Sequence, residues 1–304
     1  MQTINRVILV VFAVTIVLVS HWLGQQAYTW LPPAAAQEAE PIGDLFSFLV
    51  TLGSVIFLGV TGTLTYSLLF YRARRGDDTD GPAIRGNNQL EVIWTVIPIL
   101  LVTWIAVYSF QIYQRMNVIG PMPLVHHFLA APAIAQDNHN INNNTSNLLP
   151  AEEIEVTAKQ WAWSFYYPRY QVTTQALYLP VNRRVTLKMT SQDVLHGFYV
   201  PNFRIKQDIV PNRVIEFSFT PNQVGNYALE DSQFSGTYFA LMTTQVTVED
   251  GDRYQERLTQ LAQQTPQTVK NAAQLEHEQP PQTLFKTGWH RVTPQALPPI
   301  HSQP

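Results

Sequence analysis

Cysteine is absent from this chain of 304 residues, and its absence excludes several classes of chemistry. Without a thiol the chain can form no disulfide bond, no thiolate nucleophile and no iron–sulfur cluster. Copper and zinc sites that depend on thiolate ligands are excluded for the same reason. Any redox or structural role must therefore rest on other side chains.

Charged residues are also scarce: they make up 13% of the chain, whereas 46% is hydrophobic. Such a composition is typical of a protein that lies partly in lipid. The formal net charge of -3 excludes a strongly basic nucleic-acid-binding protein, because binding a phosphate backbone requires a dense face of Lys and Arg. We therefore expect membrane lipid, and no nucleic acid, among the partners.

Three apolar segments precede a polar second half, and a membrane helix needs about 20 apolar residues. The first segment, residues 7–23, is slightly short and runs towards Pro-Pro-Ala-Ala-Ala at residues 32–36, where small residues fit a signal-peptidase site. Residues 1–36 are therefore either a cleaved signal peptide or an N-terminal membrane helix. The segments at 45–70 and 92–113 predict a transmembrane helical hairpin within residues 41–115.

The loop of this hairpin predicts its orientation. It is rich in arginine, whereas the flank before residue 45 carries acidic residues and no basic one: the two sets are Arg72, Arg74, Arg75 and Arg85, and Glu38, Glu40 and Asp44. The positive-inside rule predicts that the loop is cytoplasmic. Everything after the hairpin then lies in the periplasm or an equivalent lumen.

The second half changes composition twice. Residues 116–150 are rich in Pro, Ala and Asn, which is typical of a linker. Residues 151–250 contain short alternating runs that predict an antiparallel β-sandwich or barrel, at 154–157, 184–189, 214–219 and 244–248. Residues 251–304 form a C-terminal tail, with a short helix expected at 253–263 and a partly disordered remainder.

Four local motifs point to one family. They occur in the order EVIWTVIP at 91–98, KQWAWSF at 159–165, DVLHGFYVP at 193–201 and KQDIVP at 206–211. Together they resemble subunit II of haem-copper terminal oxidases, the cytochrome c oxidase subunit 2 family, over roughly residues 45–248. The resemblance implies two transmembrane helices followed by a cupredoxin-like antiparallel β-sandwich. It also implies a complex with oxidase subunit I and with subunit III.

The resemblance fails at the family's copper ligands, which follow the pattern Cys-x-Glu-x-Cys-x3-His-x2-Met after a first histidine. Only His196 and Met242 remain, and the other ligand positions hold Asp231, Gln233, Ser235 and Phe239. A binuclear copper centre needs two bridging thiolates, and a mononuclear blue-copper site also needs one. We therefore expect no cofactor in this subunit, with haem and copper in the catalytic partner.

The two remaining ligand positions have simpler interpretations. His196 is expected to be a hydrogen-bonded core or loop residue, and Met242 to pack in the core. A weak metal site built from His196, Asp231 and Met242 is the alternative that these residues leave open.

Two further residues take a role from the resemblance. Trp161 stands where the family receives electrons from cytochrome c, but without copper we expect it to be a structural aromatic. Glu91 stands at the cytoplasmic end of the third apolar segment, where the family has a carboxylate at a proton-uptake pathway. The alternative for Glu91 is a capping box with Asn88 at the helix start.

These expectations favour a respiratory terminal oxidase that reduces oxygen to water with electrons from quinol, or an alternative oxidase. Quinol is soluble in lipid and needs no copper relay at the outer surface, whereas cytochrome c is soluble in water. Two alternatives stay open: a cytochrome c oxidase that receives electrons by a modified route, and a non-catalytic membrane-anchored assembly or binding module. The remaining histidines of the second half lie in linker or tail without metal-ligand neighbours: His126, His127, His139, His277, His290 and His301.

Overall fold

The computed structural model describes residues 2–72, 76, 86–116, 151–267, 270–278 and 301. The predicted linker beyond residue 116, most of the C-terminal tail and three of the four loop arginines lie outside these residues. The chain divides into two compact units. The first comprises Met1–Pro32 with Pro41–Met116, and the second comprises Pro33–Glu40 with Asn117–Pro304.

The first unit consists of three long helices: α1 (Gln2–Ala27), α2 (Ala39–Phe70) and α3 (Asn88–Met116). Each is long and apolar enough to cross a membrane. The expectation of two spans is therefore corrected to three candidate spans, because the first helix continues beyond its apolar stretch at 7–23. Most of the large apolar side chains on these helices are exposed, as expected of helices that are solvated by lipid.

The second unit is built on ten strands. They are β1 (Glu152–Lys159), β2 (Ala162–Tyr167), β3 (Val172–Thr174), β4 (Leu177–Pro180), β5 (Val185–Ser191), β6 (His196–Val200), β7 (Ile205–Ile209), β8 (Ile215–Phe219), β9 (Gly225–Asp231) and β10 (Thr243–Glu249). The four runs that the sequence predicts as strands lie at β1, β5, β8 and β10. Short 3-10 helices follow β6 at Pro201–Phe203 and precede β10 at Phe239–Leu241.

The strands form two five-stranded sheets in the orders β3-β2-β1-β5-β8 and β4-β10-β9-β6-β7. The predicted sandwich is present, but it is not purely antiparallel: β1 pairs with β5, and β4 with β10, in parallel. Each parallel pair is separated in sequence by other strands, which supply the long crossover that parallel neighbours require. This mixed pairing is a correction to the antiparallel expectation.

Alternation along the strands builds the core of this unit. In β1, Ile154, Val156 and Ala158 are fully buried, whereas Glu153 and Glu155 between them are exposed. The helix predicted at 253–263 is α4 (Gly251–Ala262), and it buries Tyr254, Leu258 and Leu261, one helical face, against the same core. A further short helix, α5, spans Ala272–Glu278.

Candidate functional site

The second sheet brings the scattered ligand positions together. Strands β6 and β9 are antiparallel neighbours with Phe198 opposite Asp231, so His196 at the start of β6 lies close to Asp231 at the end of β9. The chain then loops through Gln233 and Ser235 before it reaches β10. His196 and Asp231, which are 35 positions apart in the sequence, thereby meet at one end of the sandwich.

His196 is fully buried and lies between two carboxylates. Its Nδ1 is 2.7 Å from Oδ2 of Asp231, and its Nε2 is 2.8 Å from Oδ1 of Asp193. An ionised carboxylate only accepts hydrogen bonds, so both ring nitrogens must donate for both contacts to be favourable. The geometry therefore indicates a doubly protonated imidazolium at His196.

Asp231 accepts hydrogen bonds on both of its oxygens. Oδ1 accepts from the backbone N–H groups of Gly197 at 2.7 Å and Gln233 at 3.0 Å, and Oδ2 accepts from the Ser235 hydroxyl at 2.7 Å. With the His196 contact, the carboxylate joins strand β6 to the first residues of the loop after β9. A buried carboxylate with this many donors is satisfied as an anion without a metal ion.

Asp193 supplies the second carboxylate from the loop before β6. Its Oδ2 accepts from the backbone N–H of Gln160 at 2.7 Å, and its Oδ1 accepts from the backbone N–H of Val194 at 2.7 Å. The side-chain amide of Gln160 in turn donates to the backbone oxygen of Ser235. We call His196, Asp193, Asp231 and Ser235 the ionic cluster, since two charged pairs join four loop and strand segments there.

The electrostatics of the cluster stabilise the charged forms of its histidine and its two carboxylates. Burial disfavours the imidazolium of His196, but the hydrogen bonds with Asp231 and Asp193 outweigh it and raise the pKa of His196 above its usual value. Burial likewise disfavours ionised carboxyl groups, yet hydrogen bonds from backbone N–H groups and from His196 lower the pKa of Asp193 and of Asp231. The ionic cluster therefore favours a charged imidazolium held between two ionised carboxylates.

The donor set does not fit the binuclear copper centre of the resembled family. The chain offers no thiolate, and an imidazolium with protons on both nitrogens has no lone pair for a metal ion. Among the described residues no group of three or more His, Asp or Glu side chains is arranged to hold a metal ion. The alternative weak site at His196, Asp231 and Met242 receives no support from this geometry.

The other ligand positions are occupied by packing and amide groups. Met242 is almost fully buried in the core, and its backbone oxygen accepts hydrogen bonds from the N–H of Asp231 and the indole N–H of Trp163, both at 3.1 Å. Gln233 donates its side-chain amide to Asp208 at 2.8 Å. Phe239 is half-buried and pairs edge to face with Phe234, with ring centroids 5.1 Å apart.

Trp161 lies at the edge of the same region, but it is closed off from solvent. The side chain is only 3% exposed, and its ring contacts Tyr238 edge to face with centroids 5.0 Å apart. Gly236 has φ +119° and lies against the indole, so that a side-chain carbon there would come within 3.0 Å of the ring. Asn271 donates to the Trp161 backbone oxygen. The residue is thus part of the core.

Glu91 does not belong to the β-sandwich. It lies in the first unit, in the first turn of α3. The helix is capped by Asn87, whose Oδ1 accepts from the backbone N–H groups of Gln89 at 3.0 Å and Leu90 at 3.3 Å. The cap is one residue earlier than the capping box predicted with Asn88, so the exposed Glu91 is the fourth helical residue. Its side chain is not needed to complete the cap.

Sequence reasoning missed Asp193, although it lies three residues before His196 in a motif that was recognised. The signal was the histidine itself, because a buried imidazole requires partners for both ring nitrogens. The positive φ of Gly236 could not be read from the sequence. Of the tail histidines, His277 lies in α5, and the Nδ1 of His301 lies 3.2 Å from the backbone nitrogen of Thr173.

Comparison with known families finds two matches. Residues 20–112 match the family described as cytochrome C oxidase subunit II, transmembrane domain. Residues 172–249 match the family described as cytochrome C oxidase subunit II, periplasmic domain. Together they cover both units and more than half of the chain.

Individual relatives carry two different names. The chain is 31% identical to cytochrome c oxidase subunit 2 of Thermostichus vulcanus over 267 residues, which is 80% of this chain and 81% of that protein. It is 26% identical to quinol oxidase subunit 2 of Bacillus subtilis over 211 residues, which is 68% of this chain and 57% of that protein. The crystal structure of the periplasmic domain of subunit II of cytochrome oxidase from Bradyrhizobium japonicum aligns with a TM-score of 0.35 and 24% identity, over 38% of this chain and 96% of that one.

Proposed function

The chain belongs to the cytochrome c oxidase subunit II family, and on that premise we propose that it acts without a copper centre in an oxidase that takes electrons from quinol. As a family member it is an integral membrane protein with an outward C-terminal domain, and it works in an oxidoreductase complex with oxidase subunit I. Its own role is to anchor and shape the catalytic subunit. The bound haem and copper of the reaction belong to that partner.

The ionic cluster is the observation that supports this proposal. His196 and Asp231 occupy two of the family's ligand positions and are bonded to each other at 2.7 Å. Ser235, at the position of a second cysteine, donates to the same carboxylate. Each of these side chains has a protein partner in place of a metal ion, and the chain contains no thiolate to bridge two copper ions.

The proposed electron donor follows from the absence of a thiolate copper centre that could relay electrons. Electrons from a water-soluble protein must cross the outward domain before they reach haem, and an intermediate metal centre shortens that path. Quinol dissolves in the bilayer and delivers its electrons within the membrane, next to the haem. Burial of Trp161 at 3% exposure favours the same conclusion, because a residue that takes electrons from a docked protein should lie at the surface.

The second candidate is a cytochrome c oxidase that receives electrons by a modified route. It is favoured by the relative from Thermostichus vulcanus, which is named cytochrome c oxidase subunit 2 and matches a larger share of the chain than the quinol oxidase relatives do. The third candidate, a non-catalytic assembly or binding module, requires that the chain purify without a haem-bearing partner.

Donor-specific oxygen uptake by the purified complex separates these candidates. We expect oxygen uptake with a reduced quinol, none with reduced cytochrome c, and less than one copper ion bound per copy of this subunit after the catalytic subunit is accounted for. Turnover with cytochrome c but not with quinol would refute the proposal and support the second candidate. A complex that lacks haem altogether would support the third.

Glu91 completes the proposal as a proton-uptake carboxylate. The arginines of the loop between α2 and α3 favour a cytoplasmic position for the start of α3, where Glu91 is exposed and is not used by the helix cap. An ionisable side chain at this position is suited to collecting protons from the cytoplasmic side. Subunit III is proposed as a further partner on the strength of the family alone.

A further inference from the structure

Residues 33–40 fold with the outward domain. They comprise the end of the connection between α1 and α2 and the first two residues of α2, and we call them the connecting segment. The backbone N–H of Ala35 donates to the oxygen of Asn202 at 2.9 Å, and the oxygen of Ala35 accepts from the N–H of Asn222 at 3.1 Å. Two residues later, the N–H of Gln37 donates to the oxygen of Thr220 at 2.9 Å. The connecting segment is therefore paired with the domain through its main chain on both sides of Ala36.

Side chains extend this attachment. Ala35, Ala36 and Ala39 are fully buried and belong to the core of the domain. The Glu38 carboxylate accepts from the N–H of Thr220 at 2.9 Å, and it lies 3.6 Å from Arg184. Small residues suit this position, because Ala36 forms a β-bridge with Pro221 and the fully buried alanines lie in a close-packed interior.

Helices α1 and α2 pack closely against each other. The Ser47 hydroxyl of α2 donates to the backbone oxygen of Gly24 in α1 at 2.8 Å. At Gly24 a side-chain carbon would overlap with Thr51, and at Gly62 it would overlap with the ring of Phe12. Close approach at glycines, with hydroxyl hydrogen bonds across the contact, is the usual way in which membrane helices pack together.

We infer that the mature protein keeps residues 1–36, so that α1 is a third membrane span and not an export signal that is removed. A signal peptide that is removed would need neither a surface that packs against α2 nor a following segment that completes the core of the domain. Cleavage after Ala36 would remove both hydrogen bonds of Ala35 and expose the positions that Ala35 and Ala36 fill.

The topology agrees with this inference. The connecting segment and the outward domain must lie on one side of the membrane, and the two spans α2 and α3 separate them in the chain. With α1 retained, the N terminus lies on the opposite side, which is the side of the arginine-containing loop. The basic residue that precedes the first span, Arg6, is then cytoplasmic, in agreement with the positive-inside rule.

Mass spectrometry and N-terminal sequencing of the subunit in the complex purified from its native membrane test the inference directly. We expect a chain whose first residue lies at or before Arg6. A first residue at Gln37, or anywhere beyond Arg6, overturns the inference. The result does not depend on the electron donor, so it is independent of the proposed quinol function.

A pair of glycine variants provides a second measurement. In the assembled complex, Gly24→Ala should lower the melting temperature by several degrees, because the added carbon meets Thr51 and also lies 3.0 Å from the backbone oxygen of Ser47. Gly59→Ala is the matched control, since nothing lies within 4 Å of the carbon that it adds. Equal melting temperatures for the two variants would contradict the retained helix contact.

Discussion

At the scale of the residue, Asp231 is the centre of the outward domain's polar structure. It joins His196, Ser235 and two backbone N–H groups at distances between 2.7 and 3.0 Å, and it is buried. Removing one member of a buried ion pair leaves the partner's charge without compensation, which costs more than removing an exposed pair. At the end of the sandwich, ion pairs of the cluster thus join the segments that a metal ion joins in the resembled family.

Asp231→Asn should therefore lower the free energy of unfolding of the domain by about 3 kcal/mol. The amide cannot accept on both sides and leaves the imidazolium at His196 without its buried counter-charge. Glu153→Gln is the control, because it breaks the solvent-exposed pair with Lys188 and should cost much less. Thermal unfolding of the full chain in detergent, with fluorescence as the signal, measures both. Equal losses of unfolding free energy for the two variants would show that Asp231 contributes no more to stability than an exposed ion pair does.

The ionic cluster also predicts a pH dependence of stability. The raised pKa of His196 means that its contribution is fully present below the unfolded value of about 6.5, and that it is lost as the pH rises through the higher folded value. The lowered pKa values of Asp193 and Asp231 mean that their contribution is present above about 3.9 and is lost as the pH falls through the folded values. Stabilisation should be greatest between about pH 4 and pH 6.5.

Melting temperature against pH, compared between the native chain and His196→Gln, measures this contribution. The difference between the two should be largest in mildly acid solution and should shrink as the pH rises through the raised pKa of His196. A difference that stays constant from acid to alkaline pH would show that the histidine contributes only by packing.

At the scale of the element, the loop between β9 and β10 decides what the end of the sandwich can bind. Its ends are fixed by the strand pairing of β9 with β6 and β10, and by the contact of the Asp231 N–H with the Met242 oxygen at 3.1 Å. The backbone therefore brings Asp231, Ser235 and Met242 to the end of the sandwich that holds His196. We expect the side chains, rather than the backbone, to decide whether this loop forms a copper site of the family pattern.

Restoring the four side chains tests that view. Asp231→Cys, Gln233→Glu, Ser235→Cys and Phe239→His together should give a chain that binds two copper ions and shows the spectrum of a shared electron, because two thiolates can then bridge the metals. The matched control keeps Ser235 and changes the other three positions, and it should not form the binuclear centre. Copper analysis with absorption and electron paramagnetic resonance spectra separates the outcomes. No copper in the fourfold variant would mean that the backbone of the loop differs from that of the family.

At the scale of the whole molecule, the proposed function requires electrons and protons to reach the catalytic subunit by paths within or across the membrane. Glu91→Gln in the assembled oxidase should lower quinol-driven turnover and proton uptake, because the amide cannot exchange protons from the cytoplasmic side. Asp252→Asn, at an exposed position on α4 of the outward domain, is the control and should change neither rate. Oxygen uptake and pH changes in vesicles that contain the complex report both. Unchanged rates for Glu91→Gln would remove it from proton uptake.

Much of the fold follows from patterns that act over short distances. The spans of α2 and α3 are visible as apolar runs long enough to cross a membrane. The strands at β1, β5, β8 and β10 and the helix α4 are visible because apolar periodicity of about 2 or 3.6 residues marks the buried face of each element. The parallel pairing of β1 with β5 was not predicted, since partner choice depends on contacts between strands that are far apart in sequence. The role of the connecting segment was missed because alanines next to prolines carry no periodic signal.

The candidate site divides in the same way. The sequence by itself determined that no thiolate metal centre can form, because that conclusion depends only on the absence of cysteine. It also determined the family, since four short motifs retain their order. Only the tertiary structure decided that His196 lies between Asp193 and Asp231, that Trp161 is buried and that residues 33–40 complete the outward domain. Each of these facts depends on which distant segments meet, and that is set by packing of the whole sandwich rather than by any local pattern.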